Sequence, residues 1–278
     1  MRIFKTSREM ALAAKEAARP LGLVPTMGAL HEGHLALVRQ ARRDNASLAV
    51  SIFINPAQFS PGEDLAQYPR DLEVDLEMLR QEGADLVFVP SPQEVYPAGF
   101  DTWVDVGDLA ARLEGAVRPG HLRGVDTVVT KLLNVTSPDR AYFGQKDAQQ
   151  SLVVRQLVRD LNLEVEVVVV PTVREPDGLA MSSRNAYLTP PQRSAATVIY
   201  RGLCRAGDLW REGVRDGERL RGEVRQALEG EPLIEHIDYV SVAGADTLKE
   251  LDAVTGPAMV LVAVRIGKTR LIDNIILE

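Results

Sequence analysis

The sequence contains one cysteine, Cys204, among 278 residues. A single cysteine excludes an internal disulfide and a zinc site built from several cysteines, and it is typical of proteins in reducing compartments. Basic residues are fewer than acidic ones, with 32 Lys and Arg against 39 Asp and Glu and a formal net charge of -7. Because nucleic-acid-binding surfaces normally carry excess positive charge, this balance argues against a nucleic acid as partner.

Long apolar stretches are also missing. No uncharged apolar run approaches the length of a transmembrane helix. The first residues, MRIFKTSREM, lack the apolar segment of a secretory signal, and no internal repeat or low-complexity segment is present. We therefore expect a soluble, cytoplasmic protein without membrane association. Apolar residues make up 45% of the chain, enough for the core of one large domain or of two smaller ones.

Short apolar runs alternate with amphipathic helical stretches through the first 170 residues. This order predicts an α/β fold with a parallel sheet, because strand, helix and strand together form a crossover unit. A helix is predicted over residues 71–82 with Asp71 as its N-cap, and another over residues 125–135. The predicted strands are residues 2–4, 21–24, 48–54, 85–89, 103–106, 140–143 and 164–170.

The pattern changes after Val170. Residues 171–185 are rich in proline, glycine and charge, which predicts a linker between domains. Helical stretches at 190–212 and 216–228 then precede three apolar runs, a pattern that predicts a small α+β domain. We expect a first domain over residues 1–174 and a smaller lid domain over residues 175–278. The three apolar runs are residues 237–242, 259–264 and 271–277.

The segment Pro25–His34 (PTMGALHEGH) joins a predicted buried strand to a predicted helix through a tight turn. His31 and His34, three residues apart, project to the same side of the first helical turn, beside its unpaired N–H groups. Gly28 and Gly33 let a flat ring or a phosphate approach the main chain closely. These features favour a site for anionic oxygen. A polar surface detail is the alternative interpretation of two histidines at a helix start.

Polar segments also follow other predicted strands. Asn55-Pro56-Ala57-Gln58-Phe59 offers amides that suit a small polar substrate, or these are simply turn residues. Lys146, after Gly144 at a strand end, favours phosphate binding over an ordinary surface lysine. Residues 114–124 are expected to be irregular, and the glycines around His121 and Arg123 indicate a mobile loop over a site or a structural loop.

The predicted linker contains Met-Ser-Ser-Arg, and Ser182, Ser183 and Arg184 provide hydroxyls, backbone N–H groups and a fork-shaped cation for phosphate. His-x-Gly-His after a strand resembles the ATP-binding signature of the nucleotidyltransferase superfamily, which includes class I aminoacyl-tRNA synthetases. Met-Ser-Ser-Arg resembles that superfamily's Lys-Met-Ser-Lys-Ser loop but lacks both lysines. The positive charge would then come from Arg184 and Lys146.

Four segments in one order, PTMGALHEGH, NPAQF, FGQKDAQQ and DGLAMSSRN, resemble the pantothenate synthetase family over nearly the whole chain. The family shares the absence of both lysines. The resemblance implies a Rossmann-like nucleotidyltransferase domain and a ligase that joins (R)-pantoate to β-alanine. It implies ATP as the cosubstrate, AMP and pyrophosphate as products, and a pantoyl adenylate as the intermediate. It also implies Mg²⁺ bound with ATP and a homodimer.

The same resemblance implies roles for individual residues. His31, His34, Lys146 and Arg184 are the implied catalytic residues, with His34 as the proton donor. Pantoate binding is implied for Gln58 and Gln150, and an outer magnesium ligand for Asp75. The implied ATP contacts are Met27, Gly28, Ala29, Leu30, His31, Glu32, Gly33, His34, Gly144, Gln145, Lys146, Asp147, Val173, Met181, Ser182, Ser183 and Arg184.

Two other functions fit part of the pattern. A small adenylyltransferase, in which a phosphate attacks ATP, would share the histidine motif but need further cations, whereas NPAQF offers amides. A non-enzymatic nucleotide sensor would bind ATP without consuming it. Pyrophosphate release in the presence of pantoate and ATP separates the sensor from the ligase. The ligase chemistry needs no base, since an ionised carboxylate is already a nucleophile; it needs alignment and neutralisation of charge.

Overall fold

The computed structural model describes residues 1–278 and contains a six-stranded parallel sheet. The strands are β1 (Arg2–Phe4), β2 (Leu21–Thr26), β3 (Ser47–Ile52), β4 (Leu86–Phe88), β5 (Arg140–Gly144) and β6 (Glu166–Val170). Their order across the sheet is β1-β4-β3-β2-β5-β6, and all neighbouring strands are parallel. The central strands β2 and β3 are buried, in keeping with their continuous apolar sequence.

Helices cover both faces of this sheet. They are α1 (Ser7–Glu16), α2 (Glu32–Asp44), α3 (Leu72–Gln81), α4 (Pro92–Val95), α5 (Glu114–Val117), α6 (His121–Thr136) and α7 (Ala148–Asp160). Side chains alternate along β2, so Leu23 packs in one core with residues of α1, α6 and α7. Val24 packs in a second core with residues of α2 and α3.

Strand β2 lies where the strand order reverses. The chain passes from β2 to β3 on one side, and β5 is later added on the other side of β2. In open parallel sheets, ligands bind outside the carboxyl ends of the strands at such a reversal. The segment Met27–His31, which connects β2 to α2, starts at this carboxyl end. The topology therefore places the segment Met27–His31 where a ligand is expected to bind.

The chain divides into two units, Met1–Gln145 with Gln149–Pro171, and Lys146–Ala148 with Thr172–Glu278. In the second unit, apolar residues of the sheet and helices form one core. Its antiparallel strands are β7 (Ile234–Gly244), β8 (Ala258–Ile266) and β9 (Thr269–Leu277), and its helices are α8 (Pro190–Ala195), α9 (Val198–Arg211) and α10 (Gly217–Glu229). None of the helices in the structure is both long and apolar enough to cross a membrane.

The predicted fold class, a Rossmann-like α/β unit followed by an α+β unit, is confirmed. Two local predictions are wrong. Residues 103–106 are not a strand, because the Val104 N–H donates to the Thr127 hydroxyl of α6 at 3.1 Å rather than to a neighbouring strand. His121 and Arg123 do not lie on a loop: they belong to the first turn of α6, which begins four residues earlier than predicted. Strand β6 is a half-buried strand at one edge of the sheet.

Asp126 on α6 should make the stability of the folded protein depend on pH. The residue is 0% exposed and neither carboxylate oxygen has a hydrogen-bond partner. Burial, followed by the nearby charge of Asp105, raises its pKa to about 8, while the Val106 N–H lowers it slightly without the geometry of a hydrogen bond. The folded protein therefore binds a proton that the unfolded chain releases near pH 4.

We expect the contribution of Asp126 to stability to decrease as pH rises from about 4 to about 8, by up to about 1.4 kcal/mol per pH unit. Asp126→Asn should remove this contribution, because the amide does not titrate, so the variant should gain stability relative to the wild-type protein as pH rises. Denaturant unfolding from pH 5 to pH 8 measures it, with the exposed Asp101→Asn as control. Parallel profiles for Asp126→Asn and the wild-type protein would contradict the prediction.

Candidate active site

The turn between β2 and α2 is fixed by a buried carboxylate. Asp75, in the first turn of α3, is 2% exposed and accepts the N–H of Ala29 at 2.9 Å and of Leu30 at 2.8 Å, one on each oxygen. Gly28 and Ala29 have φ of +83° and +50°. A Cβ on Gly28 would lie 2.8 Å from Asp75 Oδ2, so this position requires glycine twice over, for its backbone angle and for space.

The two histidines cap the helix reciprocally. His31 is the N-cap of α2, and its Nδ1 accepts the Gly33 N–H at 3.1 Å. His34 Nδ1 accepts the His31 N–H at 3.4 Å, and the two ring centroids are 4.1 Å apart. A ring nitrogen that accepts a hydrogen bond carries no proton, so each ring is neutral with its proton on Nε2. The sequence prediction that these residues open a helix on one side is confirmed.

Glu32 at the start of α2 is engaged on the surface. Its carboxylate binds Arg39 Nη1 at 2.7 Å, and this hydrogen bond holds the pKa of Glu32 below its usual value. At Asp75 the balance is different. Burial raises the pKa of Asp75, while the Leu30 and Ala29 N–H groups act in the opposite direction. Most acids on α3 lie on the surface, whereas Asp75 supports the turn Met27–His31, called the histidine turn below.

The Asn55–Phe59 segment after β3 is a short 3₁₀ turn held by side-chain hydrogen bonds. Asn55 is 1% exposed, and its Nδ2 donates to Gln58 Oε1 and to the Gly124 carbonyl, both at 3.0 Å. Its Oδ1 accepts from the Tyr96 hydroxyl at 2.7 Å. Gln58 Nε2 in turn donates to Met27 Sδ at 3.0 Å, so two predicted ligand-binding residues are brought together.

The first turn of α6 supports this segment from the other side. His121 Nδ1 lies 2.8 Å from the Gln58 carbonyl oxygen. Since a carbonyl only accepts, His121 must donate from Nδ1. Gly124 contacts the segment so closely that a Cβ there would lie 2.2 Å from the Ala57 carbonyl oxygen. His121 is therefore a structural support for Gln58 rather than part of a mobile loop.

Two adjacent glutamines follow β5 on α7. Gln149 is buried, and both ends of its amide are used: Oε1 accepts the Glu114 N–H at 2.9 Å, and Nε2 donates to the carbonyls of Leu109 and Arg112 at 2.8 Å. Gln150 is only partly buried. A Cβ added at Gly144 would meet no atom within 4 Å, so the backbone at the end of β5 is open to approach.

Gln145 ends the first stretch of the first unit, and the second unit contains the remaining predicted site residues. Lys146 Nζ lies 3.5 Å from Asp147 Oδ1, and its side chain is partly exposed. The Met181 N–H donates to the Val173 carbonyl at 3.0 Å, which brings these two predicted nucleotide contacts together. The Ser182 hydroxyl accepts the Arg184 N–H at 3.3 Å and caps the short 3₁₀ helix Ser183–Tyr187.

The fold and these turns define an α/β enzyme whose polar candidate residues follow the carboxyl ends of parallel strands. The family model for pantoate-beta-alanine ligase matches residues 2–276. Pantothenate synthetase from Roseiflexus castenholzii is 58% identical over 278 residues and is covered, like this chain, over its full length. The Chloroflexus aurantiacus enzyme is 58% identical, with 95% of this chain and 94% of its own covered. The chain therefore belongs to the pantoate–β-alanine ligase family, and it is a ligase.

Solved structures agree with this assignment. The crystal structure of pantothenate synthetase from Thermus thermophilus has a TM-score of 0.95 at 49% identity, with 99% of both chains covered. The Francisella tularensis pantoate-beta-alanine ligase, crystallised with beta-gamma ATP and beta-alanine, has a TM-score of 0.81 at 34% identity, with 99% of this chain and 97% of its own covered. The alternative of a non-enzymatic nucleotide sensor is excluded by the family assignment.

Sequence reasoning missed the supporting roles, since it gave Asn55 as a substrate amide and Asp75 as an outer magnesium ligand. Asn55, Tyr96 and Gly124 fix the segment that carries Gln58, and Asp75 fixes the histidine turn. A sequence signal existed for Asn55, because asparagine before Pro56 is typical of an N-cap. None existed for Asp75, whose partners are 45 and 46 positions away in sequence.

His121 should also make the stability of the folded protein depend on pH. Burial, followed by the positive charge of Arg118, lowers its pKa from 6.5 to about 4. The folded protein keeps this imidazole neutral while the unfolded chain protonates it, so the contribution of His121 to stability decreases as pH falls from about 6.5 to about 4. His121→Gln keeps an N–H donor for the Gln58 carbonyl without a titrating ring.

Because Asp126 acts in the opposite direction over this range, we expect the wild-type midpoint of thermal unfolding to become progressively lower relative to that of His121→Gln as pH falls from 7 to 5. His236→Gln, at an exposed position, should retain the wild-type slope. Calorimetry at several pH values measures the three slopes. A slope for His121→Gln equal to that of the wild-type protein would show that His121 does not carry this dependence.

Proposed function

We propose that the protein condenses (R)-pantoate with β-alanine through a pantoyl adenylate. Family membership supports the ligase chemistry, and the relative from Francisella tularensis was crystallised with beta-gamma ATP and beta-alanine. The observation that carries the proposal is the histidine turn at the end of β2. Both Nδ1 atoms accept backbone N–H groups there, which assigns the Nε2–H of each ring as its donor at a helix N-terminus.

In the first step, a pantoate carboxylate oxygen forms a bond to the α-phosphorus of ATP, and the bond from that phosphorus to the bridging oxygen of the β-phosphate breaks. Pyrophosphate leaves with the electron pair. In the second step, the neutral amine of β-alanine attacks the acyl carbon, the bond to the AMP oxygen breaks, and the amine nitrogen loses a proton to solvent. In this proposal the activated acyl group stays on AMP until the amine attacks.

His31 and His34 act as hydrogen-bond donors to ATP in this proposal. Catalysis of phosphoryl transfer is mainly positioning and stabilisation of charge that develops on oxygen. A neutral Nε2–H donor held in place by its own Nδ1 bond loses little freedom when phosphate arrives. We assign His34, with His31, to the transferring phosphate, and Met27, Gly28, Ala29, Leu30, Glu32 and Gly33 to the nucleotide.

Residues of the other predicted segments supply further phosphate contacts. We propose that Lys146 and Arg184 neutralise phosphate charge, a task for which a point charge and a planar fork are suited. Ser182 and Ser183 donate hydroxyl or backbone N–H groups. The open backbone at Gly144 supports close approach of ATP. Gln145, Asp147, Val173 and Met181 are proposed as additional nucleotide contacts.

Gln58 and Gln150 are the proposed pantoate ligands. Asn55 orients the Gln58 amide, so that this residue can meet hydroxyl and carboxylate groups of a small substrate in a fixed geometry. On α7, the Gln149 amide is occupied by the backbone of residues 109–114, which leaves the assignment of a substrate role to its partly exposed neighbour Gln150. The amide character of these groups favours a hydroxy-acid over a phosphorylated second substrate.

Magnesium is proposed to enter with ATP. Within residues 1–278 there is no cluster of three or more histidine, cysteine or acidic side chains that could hold a metal ion. We propose that Mg²⁺ takes most of its ligands from phosphates and water, as is usual for ATP-bound Mg²⁺. When bound, the ion would neutralise phosphate charge. Asp75 stays a predicted outer ligand, while its two N–H bonds support a positioning role.

The small second domain as a lid, a homodimer and a cytoplasmic location remain part of this proposal. The homodimer comes from the resemblance of the sequence to the family, and the cytoplasmic location comes from the composition. Gel filtration with light scattering measures the oligomeric state directly.

The proposal predicts that labelled pyrophosphate exchanges into ATP when pantoate and Mg²⁺ are present and β-alanine is absent. Reversible formation of a bound adenylate requires only the first step, so the amine should be dispensable. Omitting pantoate is the control. Exchange that appears only after β-alanine is added would replace the adenylate with a concerted or amine-first mechanism.

His34→Ala should slow adenylate formation by about a hundredfold or more, as expected for loss of one preorganised donor to a transition state. Folding should be little affected, because His34 lies at a helix start outside the apolar cores, and its capping bond and its contact with the His31 ring contribute little burial. Single-turnover pyrophosphate release and thermal unfolding measure the two effects separately. A near-normal rate would remove His34 from the chemistry.

A further inference from the structure

Strand β9 carries two adjacent polar side chains that are almost completely buried. Asp273 and Asn274 are each 3% exposed, in a strand otherwise dominated by apolar residues. A buried carboxylate or amide is costly unless it is hydrogen-bonded, so each must have partners that repay its desolvation. The partners belong to the two segments of the second unit that carry proposed phosphate-binding residues.

Asn274 binds the main chain at Lys146. Its Nδ2 donates to the Lys146 carbonyl at 3.0 Å. Its own backbone is fixed as well, since its N–H donates to Asp273 Oδ1 at 2.8 Å and its carbonyl accepts from Arg174 at 3.2 Å. The peptide that carries the proposed phosphate-binding lysine is thus tied to a sheet strand rather than left to the short 3₁₀ turn Gln145–Asp147.

Asp273 binds Arg174 through two parallel hydrogen bonds of 2.6 and 2.9 Å. The same guanidinium donates to the Gly178 carbonyl at 3.1 Å and lies 3.9 Å from the centre of the Tyr200 ring. A Cβ on Gly178 would lie 2.3 Å from that ring, so the segment packs tightly there.

The fixed segment continues into the proposed phosphate ligands. Arg174 and Ala180 form an isolated antiparallel bridge, and the Met181 N–H binds the Val173 carbonyl at 3.0 Å. Ser182 and Arg184 follow directly. Burial raises the pKa of Asp273, and the positive charges of Arg174 and Lys146 oppose that shift. Asp273 therefore also interacts electrostatically with Lys146.

We propose that Asp273 and Asn274 are positioning residues for adenylate formation. Asn274 sets the position of Lys146 through its carbonyl, and Asp273 sets the segment leading to Ser182–Arg184 through Arg174. The inference rests on the proposed function, in which these segments bind the phosphates of ATP. Neither residue of β9 contacts substrate in this role.

The test uses Asn274→Asp, which keeps the side-chain shape but replaces the donor with an oxygen facing the Lys146 carbonyl. Asp273→Asn is the second variant. Asp238→Asn is the matched control: this carboxylate on β7 has a side chain that is 3% exposed and binds Arg270 at 2.5 Å and Arg265 at 3.4 Å, without contact to either phosphate-binding segment. Each of the three variants loses a buried polar interaction that involves a residue of β9.

Pantoate-dependent pyrophosphate exchange at saturating substrates should fall about tenfold to a hundredfold in Asn274→Asp and Asp273→Asn, the range expected when a catalytic group is displaced by a fraction of an ångström to about 1 Å. The KM for pantoate should change by less than about threefold. Asp238→Asn should unfold at a lower temperature yet exchange at close to the wild-type rate when folded.

A double-mutant cycle with Lys146→Ala tests whether Asn274 acts through the lysine. If it does, Asn274→Asp has little further effect once the lysine side chain is absent, whereas Asp238→Asn has the same small effect in both backgrounds. Acylation of the Lys146 amine, followed by mass spectrometry, gives a readout that needs no turnover. ATP should protect Lys146 in the wild-type protein and in Asp238→Asn, and much less in Asn274→Asp.

Wild-type exchange and wild-type protection in folded Asn274→Asp and Asp273→Asn would overturn the positioning role and leave the proposed function intact. Additive effects in the cycle would also overturn it. Absence of exchange in the wild-type protein is a different outcome, since it would overturn the proposed function itself.

Discussion

The candidate site depends first on the two hydrogen bonds that the Ala29 and Leu30 N–H groups make to the buried Asp75 carboxylate. A turn with two consecutive residues at positive φ is not favoured by the local sequence alone, and Ala29 has no glycine's freedom there. The carboxylate on α3 supplies the missing stabilisation from a distant part of the chain. Because this turn sets where α2 begins, it also sets where both histidine rings lie.

The choice of histidine as the N-cap of α2 has an electrostatic consequence. Most helices are capped by serine, threonine, aspartate or asparagine. An aspartate cap would place a negative charge where phosphate is proposed to bind, and a hydroxyl cap offers no donor at a distance from the backbone. A neutral imidazole satisfies the N–H group with Nδ1 and carries its proton on Nε2. Capping and anion binding are thus divided between the two nitrogens of one ring.

Elements that depend on local patterns were predictable from the sequence, whereas their supports were not. Apolar runs located β2 and β3, and the His-x-Gly-His spacing located the start of α2. Residues 103–106 have strand-like composition, yet the structure satisfies Val104 with a threonine hydroxyl, a long-range partner that no local pattern indicates. Glycines at 120 and 124 suggested a loop, but Gly124 is needed within α6 because the helix approaches Ala57 closely. That contact is also long-range, so no local pattern indicates it. Asp273 and Asn274 carried no signal beyond their polarity within an apolar strand.

The residues that support the site have one physical feature in common. Asp75, Asn55, Gln149, Asp273 and Asn274 are buried polar side chains, and each binds main-chain groups or a cation of a segment with little apolar packing of its own. Short turns bury too little apolar surface to be held rigid by packing. A buried carboxylate or amide holds them because releasing the turn would leave that polar group without a partner in a medium where this is costly. Preorganised donors accelerate phosphoryl transfer only if they do not have to reorient as charge develops. Buried polar anchors therefore serve the proposed chemistry better than additional apolar contacts would, since they fix the direction of a main-chain group as well as its position.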